Sequence, residues 1–317
     1  MDEREPAKVL VIAGPTASGK KQIAQNIARC WGGEIVSADS RKVYRGLDIG
    51  TAKPSAVSRK EVPYHLIDIV DIDESFNAGD WVDRTYEAVK TILAAGKLPI
   101  LSGGTGFYLK AFMEGLSGGI EPGEGIRERL KEELATLGPV ALYRDLATVD
   151  PVRAARLHVN DTVRVMRALE IYRTTGLTFT ALGERNPPHG HRFDYCLIAV
   201  TRGREELYRR VNRRVDEMIA AGLEGEVRAI LDRGISRDVR ALDTVGYREW
   251  FACFDGGRSR EDTIALIKKN SRRYAKRQLT WFGAQPGYNW YNLDEPGARE
   301  CFEENIAKWL GISGGNK

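Results

Sequence analysis

A glycine-rich loop that ends in lysine is the feature of this sequence that most directly indicates chemistry. The loop follows an apolar run at residues 8–13 and reads Gly14-Pro15-Thr16-Ala17-Ser18-Gly19-Lys20. The spacing Gly-x-x-x-x-Gly-Lys between a strand and a helix is typical of a phosphate-binding P-loop, in which backbone N–H groups and the lysine surround an anion. We therefore predict that residues 14–21 bind a phosphorylated substrate.

The residue after the loop lysine departs from this motif. A serine or threonine normally stands there and holds Mg²⁺ through its hydroxyl, whereas this chain has Lys21. A protonated lysine has no lone pair for a metal and repels it. We assign no metal ligand beyond Ser18 as a candidate, and we expect Lys21 to replace part of the metal's role by pairing with the phosphate.

Two further loops follow predicted strands and carry reactive side chains. Asp39 lies in the segment Ser37-Ala38-Asp39-Ser40-Arg41-Lys42, and Thr105 lies in Gly103-Gly104-Thr105-Gly106. Sites in open α/β sheets lie beyond the carboxyl ends of the strands, so both loops belong near the P-loop. Asp39 suits a general base, a metal ligand or a helix N-cap, and Thr105 suits a phosphate contact or a simple turn.

The order of apolar runs predicts an α/β fold of the P-loop type. Strands are predicted at residues 8–13, 34–38, 65–70, 98–102 and 195–200, with a helix at 78–95 before the fourth. Strands that alternate with helices indicate a parallel sheet covered by helices. Long helices predicted at 205–221, 223–233 and 261–282 add a basic, helical C-terminal part.

A change of character after residue 115 predicts a second domain. Breaker residues at 118–125 precede helices predicted at 126–137, 140–146, 151–157 and 162–175. The next strand pattern begins only after a loop at 186–191. We therefore predict a P-loop core formed by residues 1–115 and 192–317, interrupted by a helical insertion at 116–191.

The bulk properties limit the class of protein. The chain has 317 residues, a net charge of +4 and four scattered cysteines without a Cys-x-x-Cys pair. No stretch approaches the roughly 20 apolar residues of a membrane span, and the N-terminus lacks a signal-peptide pattern. We expect a cytoplasmic protein with reduced thiols and no membrane partner.

Basic residues are concentrated in two stretches, although the net charge alone does not indicate nucleic acid. The first contains Arg202, Arg204, Arg209, Arg210, Arg213 and Arg214, and the second Lys268, Lys269, Arg272, Arg273, Lys276 and Arg277. In the second stretch four of the charges recur at helical spacing on one face. This pattern fits a solvated helix or a surface for a nucleic-acid backbone.

The chain closely resembles the bacterial tRNA dimethylallyltransferases over nearly its whole length. The resemblance rests on the P-loop, on Ser-Ala-Asp-Ser-Arg at 37–41, on Asp-Ile-Gly-Thr-Ala-Lys-Pro at 48–54, on Gly-Gly-Thr-Gly-Phe-Tyr-Leu at 103–109, on Val-Gly-Tyr-Arg at 245–248 and on the basic run at 272–282. Asn160-Asp161 with Arg164 and Arg167-Ala168-Leu169-Glu170 also match.

This resemblance implies transfer of a dimethylallyl group from dimethylallyl diphosphate to the exocyclic amine of the adenosine just 3′ of the tRNA anticodon. It implies that the P-loop holds the leaving diphosphate, that Asp39 is the base, and that Mg²⁺ assists. Lys20 and Thr105 complete the catalytic set. The implied tRNA contacts are Asp39, Ser40, Arg41, Lys42, Thr105, Arg127, Val163, Arg164, Val165, Met166, Arg167, Gly246, Tyr247, Arg248, Arg272 and Arg273. The expected partner is the anticodon stem-loop, and the expected state is a monomer.

Three positions depart from the family pattern: Lys21 in place of Thr or Ser, Lys42 in place of Gln, and Val163 in place of Gln. They bring Mg²⁺ dependence and nucleotide preference into question. They also keep open a tRNA-binding paralogue with weakened or lost catalysis. A P-loop kinase of a small metabolite is a third reading, which leaves the basic C-terminal helix unexplained. Arg164 and Arg167 have a structural alternative of their own, ion pairs with Asp161 or Glu170.

Overall fold

The computed structural model of the protein describes residues 5–115, 123–185 and 193–312. The chain forms two compact units, one of Met1–Ala111 with Arg192–Lys317 and one of Phe112–His191. The segments 116–122 and 186–192, where the predicted domain boundaries fall, lie outside the described residues. The exact domain limits therefore stay a prediction.

The first unit contains a parallel sheet of six strands in the order β3-β2-β4-β1-β5-β6. The strands are β1 (Ala7–Ala13), β2 (Gly33–Ala38), β3 (Tyr64–His65), β4 (Leu98–Gly103), β5 (Phe193–Thr201) and β6 (Asn289–Asn292). The predicted α/β class with a P-loop type sheet is confirmed. Because the chain passes from β1 to β2 across β4, the strand order reverses beside β1, where α/β sheets bind ligands.

Strand β1 lies at the centre of the sheet and is buried on both faces. Val9, Leu10, Val11 and Ile12 are 0% exposed, since β4 and β5 flank the strand and helices cover it. A run without polar alternation is what such a strand requires. The helix α1 (Lys20–Cys30) begins directly after the P-loop and packs its apolar face on this core.

Helices cover the sheet and form most of the second unit. The remaining helices are α2 (Ala56–Glu61), α3 (Ala78–Ala94), α4 (Gly106–Glu114), α5 (Ile126–Val149), α6 (Pro151–Ala154), α7 (Thr162–Thr175), α8 (Phe179–Arg185), α9 (Arg204–Ala220), α10 (Leu223–Asp232), α11 (Glu249–Phe254), α12 (Arg260–Gly283) and α13 (Ala298–Leu310). Helix α5 is kinked at Gly138, which has φ of 77° and precedes Pro139, so its two halves correspond to the two helices predicted there.

The strand predicted at residues 65–70 is largely wrong. Only Tyr64–His65 pairs with β2, because Leu66 and Asp68 adopt φ of 61° and 58°, which an extended strand excludes. The backbone N–H groups of Ile69 and Val70 instead bond to the carbonyl of Val43. The apolar run of this segment therefore closes the loop after Asp39 rather than lengthening the sheet.

Candidate active site

The carboxyl ends of β1, β2 and β4 open into a cavity of about 690 Å³ within the first unit. Nine basic and three acidic side chains contribute to its wall. They are Lys20, Lys21, Arg41, Lys42, Arg210, Arg213, Arg214, Arg248 and Arg277 with Asp39, Glu217 and Asp243. The volume suits a small organic ligand, and the excess of cations favours an anionic one.

The P-loop lies against the end of β5 and has an unusual backbone. Gly14 has φ of 145°, and a Cβ atom there would lie 2.3 Å from the carbonyl oxygen of Val200. Ala17 adopts φ of 63°, a conformation that costs energy for a residue with a side chain and clusters at functional sites. The loop leads directly into α1, whose first residue is Lys20.

Lys20 extends back over the P-loop. Its Nζ donates to the carbonyl oxygen of Pro15 at 2.9 Å. Burial lowers the pKa of Lys20 from its ordinary 10.5 to about 7, with further lowering by Arg214 and Lys42 and an opposing effect of Asp39. An anion bound in the loop would restore the charged form.

Three arginines of the segment 202–214 fix the P-loop and its surroundings from outside. Arg202 Nε donates to the carbonyl of Ser18 at 3.1 Å, and Arg210 Nε donates to that of Ala17 at 2.9 Å. Arg214 Nη2 donates to the carbonyl of Thr51 at 3.3 Å and lines the cavity. Sequence reasoning noted the arginine cluster but assigned none of it to this site. The available signal was the three-residue and four-residue spacing of Arg210, Arg213 and Arg214, which places them close together on α9.

Asp39 follows β2 and is held by the next turn of the chain. Its Oδ1 accepts the backbone N–H groups of Arg41 at 3.0 Å and Lys42 at 3.4 Å, and its Oδ2 lies 4.0 Å from Lys42 Nζ. The Lys42 side chain is 17% exposed. Burial lowers the pKa of Lys42 to about 8, although Asp39 opposes the shift. Asp39 therefore has one fixed oxygen and one next to an ammonium in the cavity.

Thr105 joins the loop after β4 to the loop after β2. Its Oγ1 accepts the N–H of Ser40 at 3.0 Å, and its own N–H donates to the carbonyl of Ala38 at 3.1 Å. A Cβ atom at Gly103 would lie 1.9 Å from that same carbonyl oxygen. Only glycine permits this approach, which brings Thr105 beside the Asp39 turn.

Gln278 on α12 connects two of the loops and was not predicted. Its Oε1 accepts the N–H of Thr16 at 2.8 Å, and its Nε2 donates to the carbonyl of Gly104 at 2.8 Å. The amide is 7% exposed, so both bonds are shielded from water. The signal was its place inside the basic motif that supports the family resemblance. Tyr274, one turn earlier, lines the cavity, and burial raises its pKa to about 12.

Glu226 on α10 organises the loop that carries Thr51. Its carboxylate accepts the N–H groups of Asp48 at 3.0 Å, Ile49 at 2.8 Å and Gly50 at 3.2 Å. It also accepts the hydroxyl of Tyr247 at 2.6 Å. Tyr247 is 0% exposed. This predicted tRNA contact is therefore a buried structural residue whose side chain is not available to RNA.

The neighbours of Tyr247 differ in their placement. Gly246 and Arg248 line the cavity, and the N–H of Gly246 donates to Glu249 Oε2 at 2.8 Å. Arg248 Nη1 pairs with Asp243 at 2.5 Å. Arg41, another predicted contact, donates to the backbone carbonyl of Asp243 at 3.1 Å. The side chains of Arg41 and Arg248 are therefore accessible from the cavity, whereas Gly246 and the ring of Tyr247 are buried.

The predicted contacts in the second unit are partly used in ion pairs. Arg164 pairs with Asp161, and the buried carboxylate of Glu170 binds Arg167 at 3.1 Å and Arg127 at 2.7 Å. The structural alternative for these arginines is therefore present in the protein. The side chain of Arg164 is nevertheless 66% exposed.

The apolar residues of the same helix divide between core and surface. Val163 is 78% exposed, whereas Val165 is 1% exposed and packs with Leu130 and Leu142 in the core of the second unit. Met166 is partly buried against that core. The side chain of Val165 is thus withdrawn from the predicted RNA contacts because it is needed for packing.

Helix α12 presents only part of its predicted basic face to solvent. Arg272 Nη1 donates to Asn212 Oδ1 at 2.6 Å, and Lys268 Nζ pairs with Asp216 at 2.6 Å, so both are partly used against α9. Arg273 is exposed. The basic stretch therefore braces α9 as well as offering charge outwards.

The residues beside the P-loop do not fit a divalent cation held by the loop. Lys21 presents an ammonium where a hydroxyl ligand is needed. Ser18 is 0% exposed, its Oγ has no hydrogen-bond partner among the described residues, and the cavity wall is formed by its neighbours Ala17 and Gly19. Ser18 is thus poorly placed as the candidate ligand.

Comparison with known proteins identifies the family. No helix in the described ranges has the length and apolar character needed to span a membrane.

The chain is 44% identical over 288 residues to a tRNA dimethylallyltransferase of Pelobacter propionicus, covering 91% of this chain and 93% of the relative. It is 45% identical over 302 residues to one of Geobacter metallireducens, covering 94% of this chain and 96% of the relative.

Solved structures agree with these relatives. A tRNA isopentenylpyrophosphate transferase of Bacillus halodurans superimposes with a TM-score of 0.70 at 39% identity, covering 96% of this chain and 95% of the other. A eukaryotic dimethylallyltransferase acting on tRNA superimposes with a TM-score of 0.80 at 25% identity, covering 98% of this chain and 81% of the other. The IPP transferase family matches residues 42–285. The chain belongs to the IPP transferase family.

Proposed function

We propose that this protein transfers a dimethylallyl group from dimethylallyl diphosphate to the exocyclic amine of the adenosine 3′-adjacent to the tRNA anticodon, with release of diphosphate. The observation that carries the proposal is the meeting, in one cavity of a family member, of a P-loop lysine and the Asp39 carboxylate. One group suits the leaving diphosphate and the other suits the incoming amine.

The P-loop half of the cavity accounts for the leaving group. As the C–O bond of the donor breaks, negative charge accumulates on the diphosphate. The N–H groups of Ala17 and Gly19, the start of α1 and the Lys20 ammonium stabilise that charge. Arg202 and Arg210 hold two carbonyls of the loop on its outer side, which keeps the N–H groups available.

Asp39 accounts for activation of the amine. An aromatic amine is a poor nucleophile because its lone pair is delocalised, so a base that takes its proton as the C–N bond forms lowers the barrier. The new C–N bond replaces the C–O bond, and the proton passes to Asp39 Oδ2. Thr105 contacts the target nucleotide and, through Ser40, positions the Asp39 turn.

The proposed tRNA contacts are mostly basic side chains, which suit the phosphate backbone of an RNA. Single-stranded loops allow a base to leave the stack at a cost of a few kcal/mol, which suits a target in the anticodon loop. The proposed contacts are Ser40, Arg41, Lys42, Arg127, Val163, Arg164, Met166, Arg167, Gly246, Arg248, Arg272 and Arg273. Because the cavity is formed by one chain, we propose a monomer, and we place its activity with tRNA in the cytoplasm.

Transfer of radiolabelled dimethylallyl groups to an anticodon stem-loop tests the proposal. Wild-type protein should label the RNA, Asp39→Asn should lower the rate by about 10²-fold or more, and the exposed Asp73→Asn should not change it. Retained pyrophosphate binding in Asp39→Asn would separate a lost base from a lost fold. RNA binding without label would instead indicate a binding paralogue, and ATP turnover without RNA would indicate a kinase.

A further inference from the structure

The cavity beside the P-loop contains an uncompensated group of cations. Lys20, Lys21 and Lys42 line the same cavity as Arg214, and burial followed by the charge of Arg214 lowers the pKa of each lysine. Within residues 5–115, 123–185 and 193–312, neither Lys20 nor Lys21 forms an ion pair. Two carboxylates act on these four cations: Asp39, which lies 4.0 Å from Lys42, and Glu217, which with Asp39 opposes the lowering of the pKa of Arg214 by burial. The group is thus arranged for an additional anion.

Lys21 occupies the key position in this group. It lies in the first turn of α1, lines the cavity and is exposed to solvent. Desolvation by the surrounding protein and the charges of Arg214 and Arg59 lower its pKa. A P-loop normally places a hydroxyl here to bind the metal that neutralises the phosphates. An ammonium at the same position supplies positive charge directly to the phosphate oxygens.

The other donors do not restore a metal site. The Ser18 hydroxyl is sealed from the cavity, and a cation beside Asp39 would meet the Lys42 ammonium. A divalent ion would therefore enter a field of like charge, which is unfavourable at short distance even with strong screening.

We infer that this P-loop binds its diphosphate as the free anion, with the Lys21 ammonium taking the place of a loop-bound divalent cation. The identity of the anion as a diphosphate rests on the proposed function. The consequence is that Mg²⁺ should affect diphosphate binding in the opposite direction from its effect on a P-loop that binds the metal complex. Mg²⁺ sequesters free diphosphate, so it weakens binding to a site for the free anion and strengthens binding to a site for the metal complex.

Calorimetric titration with inorganic pyrophosphate, in EDTA and in excess Mg²⁺, tests the inference. Wild-type protein should bind in EDTA, and Mg²⁺ should weaken the apparent affinity. Lys21→Thr restores the hydroxyl; its affinity in EDTA should fall by about tenfold or more, and Mg²⁺ should now strengthen it. Lys21→Arg keeps the charge and should behave like wild type. Thermal unfolding confirms that each variant is folded.

Three results would overturn the inference. They are tighter wild-type binding with Mg²⁺, no pyrophosphate binding in EDTA, or the same Mg²⁺ response in Lys21→Thr as in wild type. If Lys21→Thr does not fold, the sign of the Mg²⁺ effect in wild type and Lys21→Arg decides. Label transfer to RNA is measured separately, so metal-free binding without transfer would refute the proposed function alone.

Discussion

Binding of a diphosphate should draw protons into the protein at mildly alkaline pH. Without ligand, the pKa of Lys20 is about 7 and that of Lys42 about 8. At about pH 8 Lys20 is then roughly one-tenth protonated and Lys42 roughly half protonated. An anion next to both groups raises their pKa towards ordinary lysine values, so each becomes fully charged in the complex.

The expected uptake at about pH 8 is therefore one proton or slightly more per diphosphate bound. Dimethylallyl diphosphate is the suitable ligand, because it is already fully ionised at this pH and is not consumed without RNA. Calorimetry in two buffers of different ionisation enthalpy measures the uptake. The affinity should also fall by about tenfold between pH 7 and 8 and by about fiftyfold between pH 8 and 9, because first Lys20 and then Lys42 loses its charge.

The low pKa of Lys20 also makes the free energy of unfolding of the ligand-free protein depend on pH. Lys20 has a lower pKa folded than unfolded, so the unfolded chain binds more protons between about pH 7 and 10.5. Its destabilising effect is thus complete below pH 7 and is relieved as pH rises through that window.

A matched variant isolates the contribution of Lys20. Lys20→Arg keeps the positive charge but does not titrate in this range. It should therefore lose most of the proton uptake and show a shallower dependence of affinity on pH. Proton release at about pH 8, or an affinity that is flat between pH 7 and 9, would refute this account of the cavity.

Three further substitutions test individual contacts. Gly103→Ala places a methyl group against the Ala38 carbonyl, 1.9 Å away, and should lower the free energy of unfolding by about 3 kcal/mol, measured by denaturant titration. Tyr247→Phe removes the 2.6 Å hydrogen bond to Glu226 and should cost about 1.5–3 kcal/mol in the same assay. Lys42→Gln supplies a hydrogen-bond acceptor and should change the ratio of kcat/KM between adenosine and another target base by about tenfold.

Each of these substitutions has a comparison in the same chain. Gly225 lies in α10 with open space around it, so Gly225→Ala should be neutral or stabilise by up to about 1 kcal/mol. If Gly103→Ala did not destabilise the protein either, the close-approach argument would be wrong. For Tyr247→Phe, a loss below about 0.5 kcal/mol would mean that the bond to Glu226 contributes little. Lys42→Arg keeps the charge and should leave the preference between target bases as in wild type. An unchanged preference in Lys42→Gln would contradict the prediction.

Local patterns predicted the sheet and many helices because those elements carry their own signals. The helix predicted at residues 78–95 is α3, whose apolar residues Trp81, Val89 and Ile92 recur at helical spacing and are buried in the structure. The prediction at 162–175 matches α7 with the same bounds. In contrast, β6 was missed because an edge strand of four residues has no usable periodicity, and the helix α13 after it was not predicted either.

The strand predicted at 65–70 failed for a different reason. Its apolar residues suit a strand, but Asp68 is held out of the sheet by Lys53 and by Arg59 at 2.7 Å. Leu66 and Asp68 then take positive φ values. These two charged partners, 15 and 9 residues earlier in the chain, overrode the local preference, and the periodicity of residues 65–70 contains no record of them.

Residue types and short spacings were enough to predict the phosphate-binding loop, the reactive residues Asp39 and Thr105, and the family to which they belong. The tertiary structure alone decided which side chains complete the site. Gln278 lies 262 positions from Thr16, yet its amide bonds to the N–H of that residue. The fold also buries Tyr247, because burial depends on packing between distant segments and not on the residues next in sequence.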